Sequence, residues 1–134
     1  MARRPAALEP SQRQLRAGEL IRHALVDILT REAFRDPELQ DVSITIGEVR
    51  ASPDLKHATV FCSPLGDRDA EHGARVADAL NRAAGFLRGR LGRSIDMKFT
   101  PQLRFVADTS YDAGYAMDRL LDSEAVQRDV RKDD

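Results

Sequence analysis

The chain has no tryptophan, one cysteine and only 5% aromatic residues. A lone cysteine, Cys62, excludes an internal disulfide framework, and no apolar run approaches the roughly 20 residues that a membrane-spanning helix needs. The first residues, MARRPAALEPSQRQ, include arginines but no apolar stretch of signal-peptide length. A soluble protein in a reducing compartment, by default the cytoplasm, is therefore expected. Neither a Walker-type phosphate loop nor Gly-x-Gly-x-x-Gly is present. His23, His57 and His72 are scattered, with no His-x-x-x-His pair and no companion cysteines, so no metal and no cofactor is expected. Asp67 and Asp69 have the placement of a helix start rather than of a general acid–base pair, and Asp133-Asp134 close a charged terminus. The chain is accordingly expected not to be an enzyme.

What remains is 134 residues, 42% of them hydrophobic, enough for one domain around a modest core. The net charge of −1 hides a segregation: residues 1–23 carry +3, 24–81 carry −5, 82–105 carry +5 and 106–134 carry −4. The third stretch sets Arg82, Arg88, Arg90, Arg93, Lys98 and Arg104 against Asp96 alone. Local field, more than total charge, attracts phosphates, so such a patch in a nearly neutral chain points to polyanion binding. The polar, charge-rich end DSEAVQRDVRKDD reads as a mobile tail. The expected organisation is a flexible arm over 1–10, a domain over 11–121 and a flexible charged tail over 122–134.

Ser11 and Gln14 have the spacing of a capping box that opens a helix. Leu15, Gly18, Ile21, Leu25, Ile28 and Leu29 recur as its buried stripe, Arg13, Arg16 and Arg22 lie elsewhere on its circumference, and Asp36-Pro37 should end it. Gly18 suggests close packing against another element. Val42, Ile44 and Ile46 alternate with small or polar residues as a strand does; beyond Gly47 the parity shifts to Val49 and Ala51, which predicts a bulge. Ser52-Pro53-Asp54 supplies a turn, and Ala58, Val60 and Cys62 form a second strand antiparallel to the first, with Cys62 in the core.

Asp67 or Asp69 should cap a helix whose apolar stripe is Val76, Ala77, Leu80, Ala83, Ala84 and Leu87. Gly85 interrupts that stripe, so residues 69–91 read as two helices meeting at a kink. Amides freed at the start of the second helix could hold a phosphate, with the helix dipole and nearby arginines adding attraction. Gly92 should stop the second helix. Ile95, Met97, Phe99, Leu103 and Phe105 then suggest a third strand interrupted near Pro101, with Lys98 and Arg104 on its other side. The order describes an α+β domain with a three-stranded sheet and helices on one face.

Four pieces carry a resemblance: Arg13-Gln14-Leu15-Arg16, Ser52-Pro53-Asp54-Leu55, Leu80 through Arg88 (LNRAAGFLR), and Thr100 through Phe105 (TPQLRF). Through them, over roughly residues 11–121, the chain resembles the bacterial ribosome-binding factor A family, which implies a single KH-like domain of type II topology (α-β-β-α-kink-α-β). In that family an Ala-x-Gly kink, here Ala83-Ala84-Gly85, takes the place of the Gly-x-x-Gly loop with which ordinary KH domains hold nucleic-acid backbone. Gly89-Arg90-Leu91-Gly92 spells Gly-x-x-Gly literally, but it falls at the end of the second helix instead of between the two. Two departures stand out. Members often carry a denser basic run where Ser94, Ile95 and Asp96 stand here, and glutamate is common at the position of Gln102.

The resemblance implies a non-catalytic assembly factor that binds the free small (30S) ribosomal subunit reversibly and assists late maturation of 16S rRNA. It also implies ribosomal proteins as neighbours, release helped by a ribosome-associated GTPase, and a role in cold adaptation; a monomer is expected. The RNA-binding residues expected are Arg82, Ala83, Ala84, Gly85, Arg88, Arg90, Arg93, Lys98 and Arg104, widened by Arg13, Arg16 and Arg22 of the first helix. Two other readings remain open at this level. One is a general KH-type module for single-stranded RNA, and the other is a protein-interaction domain whose basic face meets an acidic partner.

Overall fold

The computed structural model describes residues 9–67 and 69–108. Its elements run α1 (Gln12–Arg31), β1 (Ile44–Ala51), β2 (His57–Pro64), α2 (Ala70–Arg82), α3 (Ala84–Ser94) and β3 (Gln102–Ala107). β2 lies between the other strands, antiparallel to β1 and parallel to β3. The parallel pairing requires a crossover, which α2 and α3 provide. All three helices pack against the sheet or one another, and the α+β arrangement expected from the sequence is the one observed.

Local chemistry sets the element boundaries. Ser11 Oγ accepts the Gln14 amide at 3.1 Å while Gln14 Oε1 accepts the Ser11 amide at 2.9 Å, the reciprocal capping box. The Gln14 side chain also donates to the Ala51 carbonyl at 2.9 Å, fastening the start of α1 to the end of β1. A Cβ on Gly18 would sit 2.5 Å from the Val49 carbonyl oxygen, so glycine is what lets α1 approach β1 this closely. The register slips between Ile46 and Glu48, a bulge at Gly47 that moves burial onto Val49 and Ala51. Asp54 organises the hairpin by accepting from the Ser52 hydroxyl and the Lys56 amide. The core gathers Ile21, Leu25 and Ile28 of α1, Val60 and Cys62 of β2, Val76 and Leu80 of α2, Leu87 and Leu91 of α3, and Phe105 of β3. Burial pushes the Cys62 thiol up to about 12, with the charge of Asp108 adding to the effect, so this cysteine packs as a small apolar side chain.

Four local expectations need correction. α1 ends at Arg31, before Asp36-Pro37, because Glu32 turns extended and sends Phe34 back toward α3. Leu15 is 49% exposed instead of buried, and Ala17 joins the buried face. Gly92 lies inside α3, which continues to Ser94; its role is packing, since a Cβ there would approach Thr100 Oγ1 to 3.0 Å. β3 begins only at Gln102, immediately after the buried Pro101. The apolar alternation before it comes from an irregular segment in which Ile95 and Met97 pack on the core while Phe99 is exposed. The expected boundary at residue 121, the charged tail over 122–134 and most of the N-terminal arm lie outside the described residues.

Candidate nucleic-acid interface

The helical crossover is broken as Gly85 predicted, but two residues before it. α2 ends at Arg82 and α3 starts at Ala84, with Ala83 between them at φ −96°, ψ 8°. The Ala83 amide still reaches the carbonyls of Ala79 and Leu80, and its own carbonyl accepts the Leu87 amide at 2.9 Å. No side chain caps α3, so its first amides lack the partner that Ser11 gives α1. Gly85 is exposed there, and a Cβ added to it would meet nothing within 4 Å. Gly85 is therefore not demanded by packing, and it leaves the backbone at the helix start open to close approach.

The junction is held by the strand segment that follows. Asn81, the residue before Arg82, donates from Nδ2 to the Phe105 carbonyl at 2.8 Å and accepts the Phe105 amide at 2.7 Å. Its amide thereby pairs with the outer edge of β3 much as a neighbouring strand would. Arg88 donates from Nε and Nη2 to the Thr100 carbonyl, at 2.9 and 2.7 Å, and its guanidinium lies over the Phe99 ring, 5.3 Å from the centroid. Gly92 packs against the same Thr100. The two sequence motifs LNRAAGFLR and TPQLRF are thus one structural unit, the second fastening the bent helices of the first.

The expected cations divide by what they already hold. Arg82 donates to Asp36 Oδ2 at 3.1 and 2.8 Å, and this guanidinium, followed by the Glu38 amide, holds the Asp36 carboxyl below its ordinary range. Arg90 pairs with Glu32 at 3.2 Å and covers the Phe86 ring at 5.0 Å. Arg22 pairs with Glu19 at 2.9 Å on the α1 surface, which lowers the carboxyl and raises the guanidinium by their mutual hydrogen bond. Arg88 belongs to the fold. By contrast, Arg13, Arg16, Arg93, Lys98 and Arg104 are exposed and have no ion-pair partner among the described residues.

Their placement follows from the backbone. Arg13 and Arg16 stand on the first turns of α1, tied by Gln14 to Ala51, while the Gln102 amide donates to the Lys56 carbonyl at 2.8 Å. The start of α1, the hairpin and the start of β3 therefore meet at one end of the sheet. Arg93 and Lys98 flank the contact between Gly92 and Thr100 near that same end. Arg104 does not join them: its neighbours Leu103 and Phe105 are buried toward the helices, so it projects from the opposite face of the sheet. The structure thus gathers Arg82, Ala83, Ala84 and Gly85 at the junction, sets Arg90 six residues along α3 against Glu32, and puts Arg104 elsewhere.

Sequence reasoning missed Asn81, Thr100 and the acids Glu32 and Asp36, which hold these groups in place. Complementary charge in the segment before Pro37 was the available signal for the acids; the Asn81 bridge to β3 left none. Among the described residues no group of three or more His, Cys, Asp or Glu could hold a metal ion, and no helix is long and apolar enough to cross a membrane.

A three-stranded mixed sheet backed by three helices, with a break between the last two in place of a loop, defines a KH-like domain of type II topology. The chain belongs to the ribosome-binding factor A family, whose family model matches residues 13–121. It is 62% identical over 135 residues to ribosome-binding factor A of Hyphomonas neptunium, covering 99% of each chain. It is 56% identical over 124 residues to the Caulobacter vibrioides protein of that name, covering 92% of this chain and 83% of the relative. Among solved structures, a Thermotoga maritima protein determined by solution NMR superposes with a TM-score of 0.60 at 26% identity, over 92% of this chain and 99% of that one. A homology model of Thermus thermophilus ribosome binding factor A, fitted into a cryo-EM map of a 30S complex, matches in fold with a TM-score of 0.52 at 22% identity, over 69% of this chain and 91% of that one.

Proposed function

We propose that this chain binds the free small ribosomal subunit and assists late maturation of its 16S rRNA, reversibly and without catalysis. Family membership supports the subunit as target, and the Thermus thermophilus relative fitted into a 30S complex supports it further. The observation that carries the reading is the uncapped start of α3 with its backbone open at Gly85, flanked by guanidiniums. Phosphate oxygens accept from such amides, the helix dipole favours their charge, and arginines add bidentate contacts. Contacts of this kind read the path of an RNA backbone and not its bases, so the shape of the subunit supplies selectivity. In this proposal Ala83, Ala84 and Gly85 with Arg82, Arg88 and Arg90 form the centre, and Arg13, Arg16, Arg22, Arg93, Lys98 and Arg104 extend the field. Ribosomal proteins border the site, a ribosome-associated GTPase assists release, and the protein acts as a cytoplasmic monomer that supports growth in the cold. The working unit spans residues 11–121.

Co-sedimentation with purified small subunits across a salt series tests this. Arg13, Arg16, Arg93 and Lys98, which stand near one end of the sheet with no ion-pair partner among the described residues, would neutralise about four phosphates, which gives a logarithmic salt slope of about −2.8. Arg93→Glu combined with Lys98→Glu should weaken binding at 0.1 M salt by about 25-fold, since neutralising two phosphates fewer changes the slope by about 1.4. Equal or tighter binding to short single-stranded oligonucleotides would favour a general KH module instead. A flat salt response, or no subunit binding, would sink the proposal.

A further inference from the structure

The segment joining α1 to β1 is laid across the helix junction by side chains alone. Glu32 pairs with Arg90 of α3 at 3.2 Å, Asp36 with Arg82 of α2 at 2.8 Å, and Glu38 with Arg75 of α2 at 3.4 Å. Between the first two acids, Phe34 meets the Phe86 ring edge-on with centroids 6.4 Å apart. Two of the three guanidiniums so engaged, Arg82 at the end of α2 and Arg90 on α3, belong to the two helices that meet at Ala83. Arg82 remains 60% exposed while paired, so an incoming anion can reach it.

Pairs whose guanidiniums are this exposed add little to stability, too little to explain all three as fasteners of the fold. Their consequence for binding is larger. A phosphate that takes Arg82 or Arg90 gains one charge-assisted contact but breaks another, and the displaced carboxylate stays nearby as a like charge. Release of the cations condensed on the polyanion, which normally drives such binding, is then weakened, because a guanidinium with its carboxylate still beside it brings no net positive charge to the phosphate.

We infer that Glu32 and Asp36 are specificity-determining residues of the RNA interface: they occupy Arg90 and Arg82 as phosphate surrogates, and so discriminate against generic single-stranded polyanions. An RNA surface shaped to engage the open α3 start and the unpaired cations together offsets the exchange, whereas a featureless strand does not. This role rests on the RNA-binding reading above, and within it the two acids act against binding instead of for it.

The substitutions are mild by construction. Asp36→Asn keeps the Oδ1 acceptor used by the Glu38 amide at 3.1 Å, and Glu32→Gln preserves shape. The full-length double variant is compared with wild type for binding to a homopolymeric single-stranded RNA and to purified small subunits over a salt series. A second double variant, Asp27→Asn with Glu48→Gln, makes the same charge change at ion pairs with Arg31 and Arg50 away from the junction. Freeing two guanidiniums should steepen the homopolymer slope by about 1.4, which is about 25-fold tighter binding at 0.1 M salt, and should narrow the preference for subunits. If the second double variant gains as much, or the first gains nothing, the inference is overturned. Should the first melt early, Glu32→Gln alone should show half the change in slope, and no change would count against the inference equally. Wild-type protein that ignores subunits would defeat the functional reading, yet the homopolymer arm would still judge the two acids.

Discussion

The arginines around the Ala83 junction and the cations near the hairpin end of the sheet differ in what they are free to do. At the junction Arg82 and Arg90 hold Asp36 and Glu32, and Arg88 holds the Thr100 carbonyl. Near the hairpin end Arg13, Arg16, Arg93 and Lys98 extend from the surface with no ion-pair partner among the described residues. A run of basic residues in sequence is therefore two populations in space. One is already engaged by partners within the fold beside the open backbone; the other is uncompensated charge that, in the proposed function, draws a polyanion in. Charge density along the chain measures their sum, and only the partners separate them.

The sharpest test of the junction as a built structure removes its fastener. Asn81→Ala leaves the Phe105 amide and carbonyl on the outer edge of β3 without their protein partners, at 2.7 and 2.8 Å in the native fold. A partly buried pair of orphaned groups costs about 2–3 kcal/mol. Urea unfolding should show the midpoint falling accordingly, and subunit binding should fail even though no cation has been touched. Unchanged stability would mean that water replaces the asparagine freely and that the bend is not held from β3.

A direct contrast between the two populations comes next. Arg88→Ala should cost about 1.5–3 kcal/mol, because the Thr100 carbonyl loses two donated hydrogen bonds from a charged group and Phe99 loses its covering guanidinium. Arg93→Ala should change stability by no more than about 0.5 kcal/mol while lowering the salt slope for RNA binding by about 0.7. Paired unfolding curves and salt titrations of these two variants decide the matter. If Arg88→Ala melts like wild type, or Arg93→Ala unfolds early, the division into structural and free cations collapses.

Near-neighbour features are legible in the sequence. Ser11 and Gln14 are three residues apart, the Gly47 bulge is a parity change within one strand, and the break before Gly85 is a local interruption of a helical stripe. Each depends on residues close enough along the chain for spacing to encode geometry. The partners of the cations are not legible, because Asp36 and Arg82 are 46 positions apart and meet only once the crossover has folded. Gly92 reads as a stop since glycine serves both helix ends and tight contacts; the deciding atom, Thr100 Oγ1, arrives from the next segment. The alternation from Ile95 to Phe99 resembles a strand because irregular chain that places Ile95 and Met97 on the core produces the same pattern. The composition of the interface can be read along the chain, and its allegiances cannot.

The smallest expected change bears most directly on what the open backbone is for. Gly85 sits in the first turn of α3, has no positive φ, and would bring an added Cβ within 4 Å of nothing. Alanine is a better helix former, so Gly85→Ala should raise stability slightly, by about 0.5 kcal/mol, the full interior gain of about 1 kcal/mol being reduced near a helix start. A residue that the fold alone would exchange for alanine points to a demand from outside the fold. If RNA backbone approaches the first amides of α3, a methyl group there stands between phosphate and donor, and subunit affinity should drop while the melting temperature rises. Opposite signs in the two measurements would locate the contact at the junction. Loss of neither would move the binding surface wholly to the free cations at the hairpin end, and would leave Gly85 without a physical reason to be glycine.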